Sequence, residues 1–214
     1  FRDRTVWEEN KFIIGGDFGL MNLLSSTAKK KDLEAQMLSV FRMAFGMRMY
    51  VNYSYPRQYS LSGTPLNEAL VMLKQVIPQF KKDNDLQKVH CFVLTDGEAN
   101  SMMVGRENYY GGNGAQHISG GNSYFRNRKT GFTYQFGCEY HSFTEVMLQD
   151  LRDSFPNTNF IGIRLCPPRE MNNFIRKYQW LNEDDLKKIK KDKYFDIKNS
   201  GYTSYFAMQT AALN

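Results

Sequence analysis

Long apolar runs, paired cysteines and a phosphate-binding loop are all missing from this sequence, and each absence removes a class of protein. No stretch of about 18 apolar residues occurs, so no membrane-spanning helix is expected. No signal-peptide pattern is present; the chain starts at Phe1, and an upstream segment that was cleaved, omitted or not seen is expected. The three cysteines, Cys91, Cys138 and Cys166, are odd in number and widely spaced. That argues against a disulfide framework and for a reducing, cytoplasmic setting. Cys138 and His141 form a lone C-x-x-H pair, and without a second pair the roughly four ligands of a zinc site are not assembled. The run Gly111-Gly112-Asn113-Gly114 is not followed by G-K-[ST], so it is no P-loop. Ser101, His117 and His141 lack a surrounding nucleophile–base motif, and catalysis is not expected.

The residues that are present describe a globular chain. Hydrophobic residues make up 42% and aromatic ones 14% of 214 residues, enough for one sizeable core. The net charge of +6 permits contact with nucleic acid or with acidic protein surfaces. Part of that charge is local, because Lys187, Lys188, Lys190, Lys191 and Lys193 crowd one stretch. Asn182 as N-cap and Glu183, Asp184 and Asp185 in the first turn precede them, an order that matches the helix macrodipole and needs no partner.

Periodicity supplies the elements. Leu33, Met37, Val40, Phe41 and Ala44 follow Asp32, a plausible cap, at helical spacing; Gly46 is the expected stop and Met47–Tyr53 a short strand. A clearer amphipathic helix carries Leu66, Ala69, Leu70, Leu73, Val76, Ile77 and Phe80, with Thr64 as N-cap candidate, Pro65 in the first turn and Pro78 expected to end or kink it. Val89–Leu94 and Asn159–Leu165 read as buried parallel strands, and Tyr202–Met208 as a last one. A helix from Ser142 puts Phe143, Val146, Met147 and Leu151 on one face. The fold class expected is α/β, a doubly wound, mostly parallel sheet with helices on both faces, in a single domain over residues 1–214. Residues Ala99 to Tyr140, rich in Gly, Asn and Tyr, read as an insertion in which Ser123–Arg126 and Phe132–Phe136 pair as a hairpin.

Two stretches carry a family resemblance. Gly63-Thr64-Pro65-Leu66-Asn67-Glu68-Ala69-Leu70 is similar to the second metal-site motif of von Willebrand factor A-type (vWA) domains, and Phe92-Val93-Leu94-Thr95-Asp96-Gly97-Glu98 to the third. They stand in the family's order, one helix and one strand apart, and Phe160–Leu165 resembles the next core strand, so the resemblance covers roughly residues 50 to 210. It implies a Rossmann-like domain with a metal-ion-dependent adhesion site, usually filled by Mg²⁺. By that resemblance Thr64 would coordinate the metal directly, Asp96 directly or through water, and an acidic partner side chain would complete the shell. Mg²⁺ takes oxygen ligands, and the C-terminal edge of such a sheet is where ligands bind. The motifs look closest to intracellular vWA proteins of the cobalt-chelatase-subunit type, which large tailed phages also encode. The implied function is a metal-dependent protein-binding module, its partner a MoxR-type AAA+ ATPase to which it delivers substrate. The family's first motif, D-x-S-x-S, is absent, since Asp17-Phe18-Gly19 and Asp153-Ser154-Phe155 both fail it. Either it lies upstream of Phe1 with the first strands, the reading favoured, so that this N-terminally incomplete domain binds Mg²⁺ weakly or not at all; or the chain is a relative that binds no metal.

Plainer roles stand beside these. Thr64 serves equally as a helix cap and Asp96 as a turn residue before Gly97. A second function class is nucleic-acid binding. In the insertion Arg106, Arg126, Arg128 and Lys129 mix with Tyr109, Tyr110, Tyr124, Phe125, Phe132 and Tyr134, cations for phosphates and rings for bases. Tyr124, Arg126, Arg128 and Tyr134 are the partner-binding candidates; the alternative is a hairpin whose rings pack on the domain. Because the insertion leaves the C-terminal end of Val89–Leu94, it is expected to rise over the metal edge and shape partner access.

Overall fold

The computed structural model describes residues 8–15, 18–48, 63–107, 113–118, 120–139 and 141–213. The chain divides into two compact units, one of residues 15–62 and one of residues 1–14 with 63–214. The smaller unit is built on α1 (Lys30–Arg48). Asp32 lies inside its first turn, where a carboxylate complements the helix dipole, and is not its cap. Gly46 does not stop the helix: one glycine costs about 1 kcal/mol relative to alanine, too little to end an otherwise regular run. Met47 and Arg48 are therefore helical, and the rest of the strand expected there lies outside the described residues.

The larger unit runs β1 (Phe12–Ile13), α2 (Leu66–Asp83), β2 (Val89–Thr95), β3 (Met103–Glu107), β4 (Asn113–His117), β5 (Tyr124–Arg126) and β6 (Thr133–Gln135). It continues with α3 (Ser142–Ser154), β7 (Thr158–Cys166), α4 (Met171–Ile175), α5 (Glu183–Asp192), β8 (Tyr194–Ile197) and β9 (Ser204–Gln209). The main sheet has the order β2-β7-β9-β8; β2, β7 and β9 are parallel, as their apolar runs predict, and β8 is antiparallel to β9. Pro78 neither ends α2 nor prevents it from reaching Asp83, because Leu70 and Ile77 anchor its buried face. Asn182 caps α5 as expected: its Oδ1 accepts from the Asp185 N–H at 2.8 Å, and the Asp185 carboxylate accepts from the Asn182 N–H at 3.1 Å. Residues 124–135 form the expected hairpin, with Phe125 opposite Tyr134. A further antiparallel sheet, β1-β3-β4, was not anticipated.

Helices cover one face of the main sheet. Phe160, Tyr205, Ala207, Phe195 and Ile197 point to that face and join Leu148, Leu151, Met171, Ile175 and Ile189 in one core. The alternate residues Ile161, Ile163, Phe206 and Met208 are only half-buried, and on β2 Phe92 and Leu94 are 65% and 66% exposed. A mixed α/β architecture is thus present, but among the described residues of this unit the helix layer expected on the second face is not. No helix among the described residues is long and apolar enough to cross a membrane.

Candidate functional site at the C-terminal edge of the sheet

The two metal-ligand candidates stand on adjoining loops. Thr64 precedes α2, Asp96 follows β2, and a Cβ on Gly97 would collide with the Thr64 hydroxyl, so Thr64 lies directly against the residue after Asp96. A side chain on Gly97 would have to displace the Thr64 hydroxyl. α2 begins at Leu66 with Pro65 in the capping position and no side-chain cap, so the Thr64 hydroxyl is not spent as an N-cap. Asp96 is exposed. Thr95 shapes its turn: the Thr95 hydroxyl donates to the Gly97 carbonyl at 2.8 Å and accepts from the Gly97 N–H at 3.1 Å.

A clasp of amides holds these loops in place. The Thr64 N–H donates to Asn100 Oδ1 at 3.2 Å, and the Asn100 N–H donates to the Thr64 carbonyl at 2.9 Å. Asn67 Nδ2 donates to the Asn100 carbonyl at 2.7 Å, and the Thr144 hydroxyl donates to Asn67 Oδ1 at 2.7 Å. The start of α2, the loop after β2 and the first turn of α3 are thereby tied together. Asn67 and Asn100 have no apolar period to betray them, and sequence reasoning assigned neither a role.

The donor set is right in kind for a hard cation and short in number. One hydroxyl and one carboxylate stand on adjoining loops, and among the described residues no three His, Cys, Asp or Glu side chains gather into a metal-holding group. Mg²⁺ surrenders its water reluctantly, and a site that holds it tightly needs more oxygen ligands than two.

Beside this edge opens a cleft of about 230 Å³ bounded by Gly97, Glu98, Glu139, His141, Glu145, Lys177 and Tyr178. Lys177 forms an ion pair with Glu98. His141 Nε2 lies 3.5 Å from Glu145, and its ring stands 4.5 Å from that of Tyr178. Burial lowers the His141 pKa against the opposing pull of Glu139 and Glu98. Burial, then the Glu139 charge, pushes Glu145 up from the ordinary carboxylate range to about 7. Burial is also the main cause that lifts Tyr178 to about 12. Glu145 therefore exchanges its proton near neutrality. Because its folded-state pKa is raised, the folded chain holds that proton while the unfolded chain has lost it, and stability falls as pH rises from about 4.5 to about 7. Glu145→Gln removes that penalty. The variant is expected to match wild type near pH 4.5 and, after discounting for solvent screening, to exceed it by about 1 kcal/mol near pH 8 in urea unfolding. Equal differences at both pH values would remove Glu145 as the source.

The hairpin of the insertion does not rise over this edge as the sequence argument expects, although the insertion's ends reach it, with Asn100 in the clasp and Glu139 lining the cleft. The β5–β6 turn lies against the C-terminal end of α3, where Asn127 Nδ2 donates to Asp150 at 2.6 Å and to the Ser154 hydroxyl at 3.2 Å. That end of α3 leads into the start of β7, so the turn stands at the edge opposite Thr64 and Asp96. Tyr134 is 7% exposed and donates its hydroxyl to Asp153 at 2.7 Å, which makes it a packing residue and corrects its assignment as a partner contact. Phe125 stacks between Phe12 and Tyr134 at 5.4 and 6.1 Å. Tyr124, Arg126 and Arg128 remain exposed.

Ser101 and His117 are joined, with Ser101 Oγ and His117 Nδ1 at 3.1 Å, a pairing the sequence did not signal. Both are exposed, and no carboxylate orients the imidazole among the described residues, so the pair lacks the third member of a nucleophilic triad. Comparison of the chain with protein-family models, curated proteins and solved structures finds no match.

Proposed function

We propose that this chain is a vWA-type protein-binding module whose partner docks at the C-terminal edge of the main sheet. The observation that carries this reading is the packing of Thr64 against Gly97, the residue after Asp96, at the end of a parallel strand, with a hydroxyl that caps no helix and a carboxylate open to solvent. In this reading the two side chains supply two oxygens to a Mg²⁺, and an acidic side chain of the partner supplies another. A MoxR-type AAA+ ATPase is the partner that the family resemblance suggests. The doubly wound topology of the whole domain belongs to the same proposal, its second helix layer and first strands lying beyond the elements described above. With no third protein donor among the described residues, the metal affinity expected of the chain by itself is low.

Weak binding calls for a position-specific probe. Titration with Mn²⁺ is expected to broaden the amide resonances of Thr64, Gly97 and Asn100 before others, and Asp96→Ala should abolish that pattern while leaving the remaining spectrum in place. Gly97→Ala, whose added methyl displaces the Thr64 hydroxyl, should weaken it. Broadening that survives Asp96→Ala, or that centres on Glu139 and Glu145 instead, removes the metal from this edge.

A further inference from the structure

A second surface gathers cationic side chains. An open groove of about 790 Å³ runs between β3, the β5–β6 hairpin and α2, and every charged side chain lining it is cationic: Lys11, Lys74, Arg106, Arg126 and Arg128. Lys11 is paired with Glu8 and Lys74 with Asp150, but among the described residues Arg106, Arg126 and Arg128 form no ion pair. These arginines come from different elements, β3, β5 and the β5–β6 turn, so only the folded chain brings them together. Tyr124 lines the same groove with its side chain 63% exposed. A large ring left in water beside three uncompensated guanidinium groups has a poor packing rationale and a good binding one.

We propose that this groove binds single-stranded nucleic acid, with Arg106, Arg126 and Arg128 on the phosphodiester backbone and Tyr124 stacked on a base. Guanidinium forks match phosphate oxygens, and an exposed aromatic face accepts any base. An open strand offers both at once, whereas a duplex hides its base faces and an acidic peptide offers none. The groove is independent of Thr64 and Asp96, which lie at the other edge of the sheet, so failure of the metal-site reading leaves it standing.

The test is fluorescence anisotropy of a labelled, short oligothymidine with the full chain over a series of salt concentrations. The chain should bind at low salt, and the logarithm of its affinity should fall linearly with that of the salt concentration. Arg126→Ala with Arg128→Ala should weaken binding and flatten the salt slope by about 1.4, two phosphate contacts at about 0.7 each. Tyr124→Ala should weaken binding about tenfold and leave the slope unchanged, the signature of lost stacking. Arg106→Gln provides an independent variant if the double substitution perturbs the hairpin, which near-ultraviolet circular dichroism reports. Absence of binding at low salt overturns the proposal, as does an unchanged salt slope in the arginine variants. Duplex DNA competing as well as the single strand overturns the strand assignment. Polyglutamate competing equally, with Tyr124→Ala silent, assigns the groove to an acidic protein instead.

Discussion

Phe160→Ala is expected to cost about 3–5 kcal/mol of stability, whereas Phe92→Ala, one strand away, should stay within about 0.5 kcal/mol of wild type. The two rings sit on neighbouring strands one residue out of line. Phe160 pairs with Cys91 and faces the helices at 0% exposure; Phe92 pairs with Ile161 and faces the open side. Removing the first leaves a cavity among Leu148, Leu151 and their neighbours in the core; removing the second withdraws a side chain that water already surrounds. Urea unfolding of both variants measures the difference. A loss of several kcal/mol at Phe92 would mean that the second face is covered in solution, and the one-sided layering would then be wrong. Should the contrast hold, Phe92 and Leu94 form an apolar row on β2, an edge strand among the described residues, in a parallel arrangement of the kind that ordinarily has both faces covered. Such an edge promotes association between chains.

The parallel strands were legible as short apolar runs bounded by turn residues, Val89–Leu94 and Asn159–Leu165, but the burial on both faces that such runs imply is not found on β2, where half-buried and exposed residues alternate and Phe92 and Leu94 stay open. The hairpin was legible from Asn127 and Gly131; Gly131 adopts a φ of +80°, and the Asn127 side chain accepts from the Lys129 and Thr130 N–H groups at 2.9 and 3.3 Å. The sheet of β1, β3 and β4 was not, because Asn113-Gly114-Ala115-Gln116-His117 has neither alternation nor β-branching and takes its strand geometry from its neighbours. At the candidate site the same division holds. Thr64 and Asp96 each belong to a local pattern. The cleft beside them does not: Glu98, Glu139, Glu145 and Lys177 come from separate segments, and only packing makes them neighbours. Tyr134 and Tyr124 look alike in sequence, and their opposite fates follow from the alternation of a hairpin with one packed side.

Lys74→Met is expected to destabilise the chain by about 3–5 kcal/mol, because it strands a charge. Asp150 is 0% exposed in α3, forms an ion pair with Lys74 of α2, and accepts from Asn127 Nδ2 at 2.6 Å. The Lys74 ammonium also stands over the Phe125 ring at 5.1 Å. One lysine thus joins two helices and the hairpin, and without it the buried carboxylate keeps only a neutral amide. Replacing both partners tells the charge penalty from lost packing. Lys74→Met combined with Asp150→Leu removes the charge together with its cation, and Asn127 retains its bond to the Ser154 hydroxyl. The double variant should therefore be more stable than Lys74→Met alone by about 2 kcal/mol, a coupling that a double-mutant cycle in urea isolates. A single-variant loss below about 1 kcal/mol would show that the pair is solvated and holds nothing together. The same geometry decides which cations to vary in the nucleic-acid test. Lys74 lines the groove, but its charge is committed to Asp150, so its loss would loosen the groove's walls as well as its field, whereas Arg126 and Arg128 hold no such partner among the described residues and report on the field by itself.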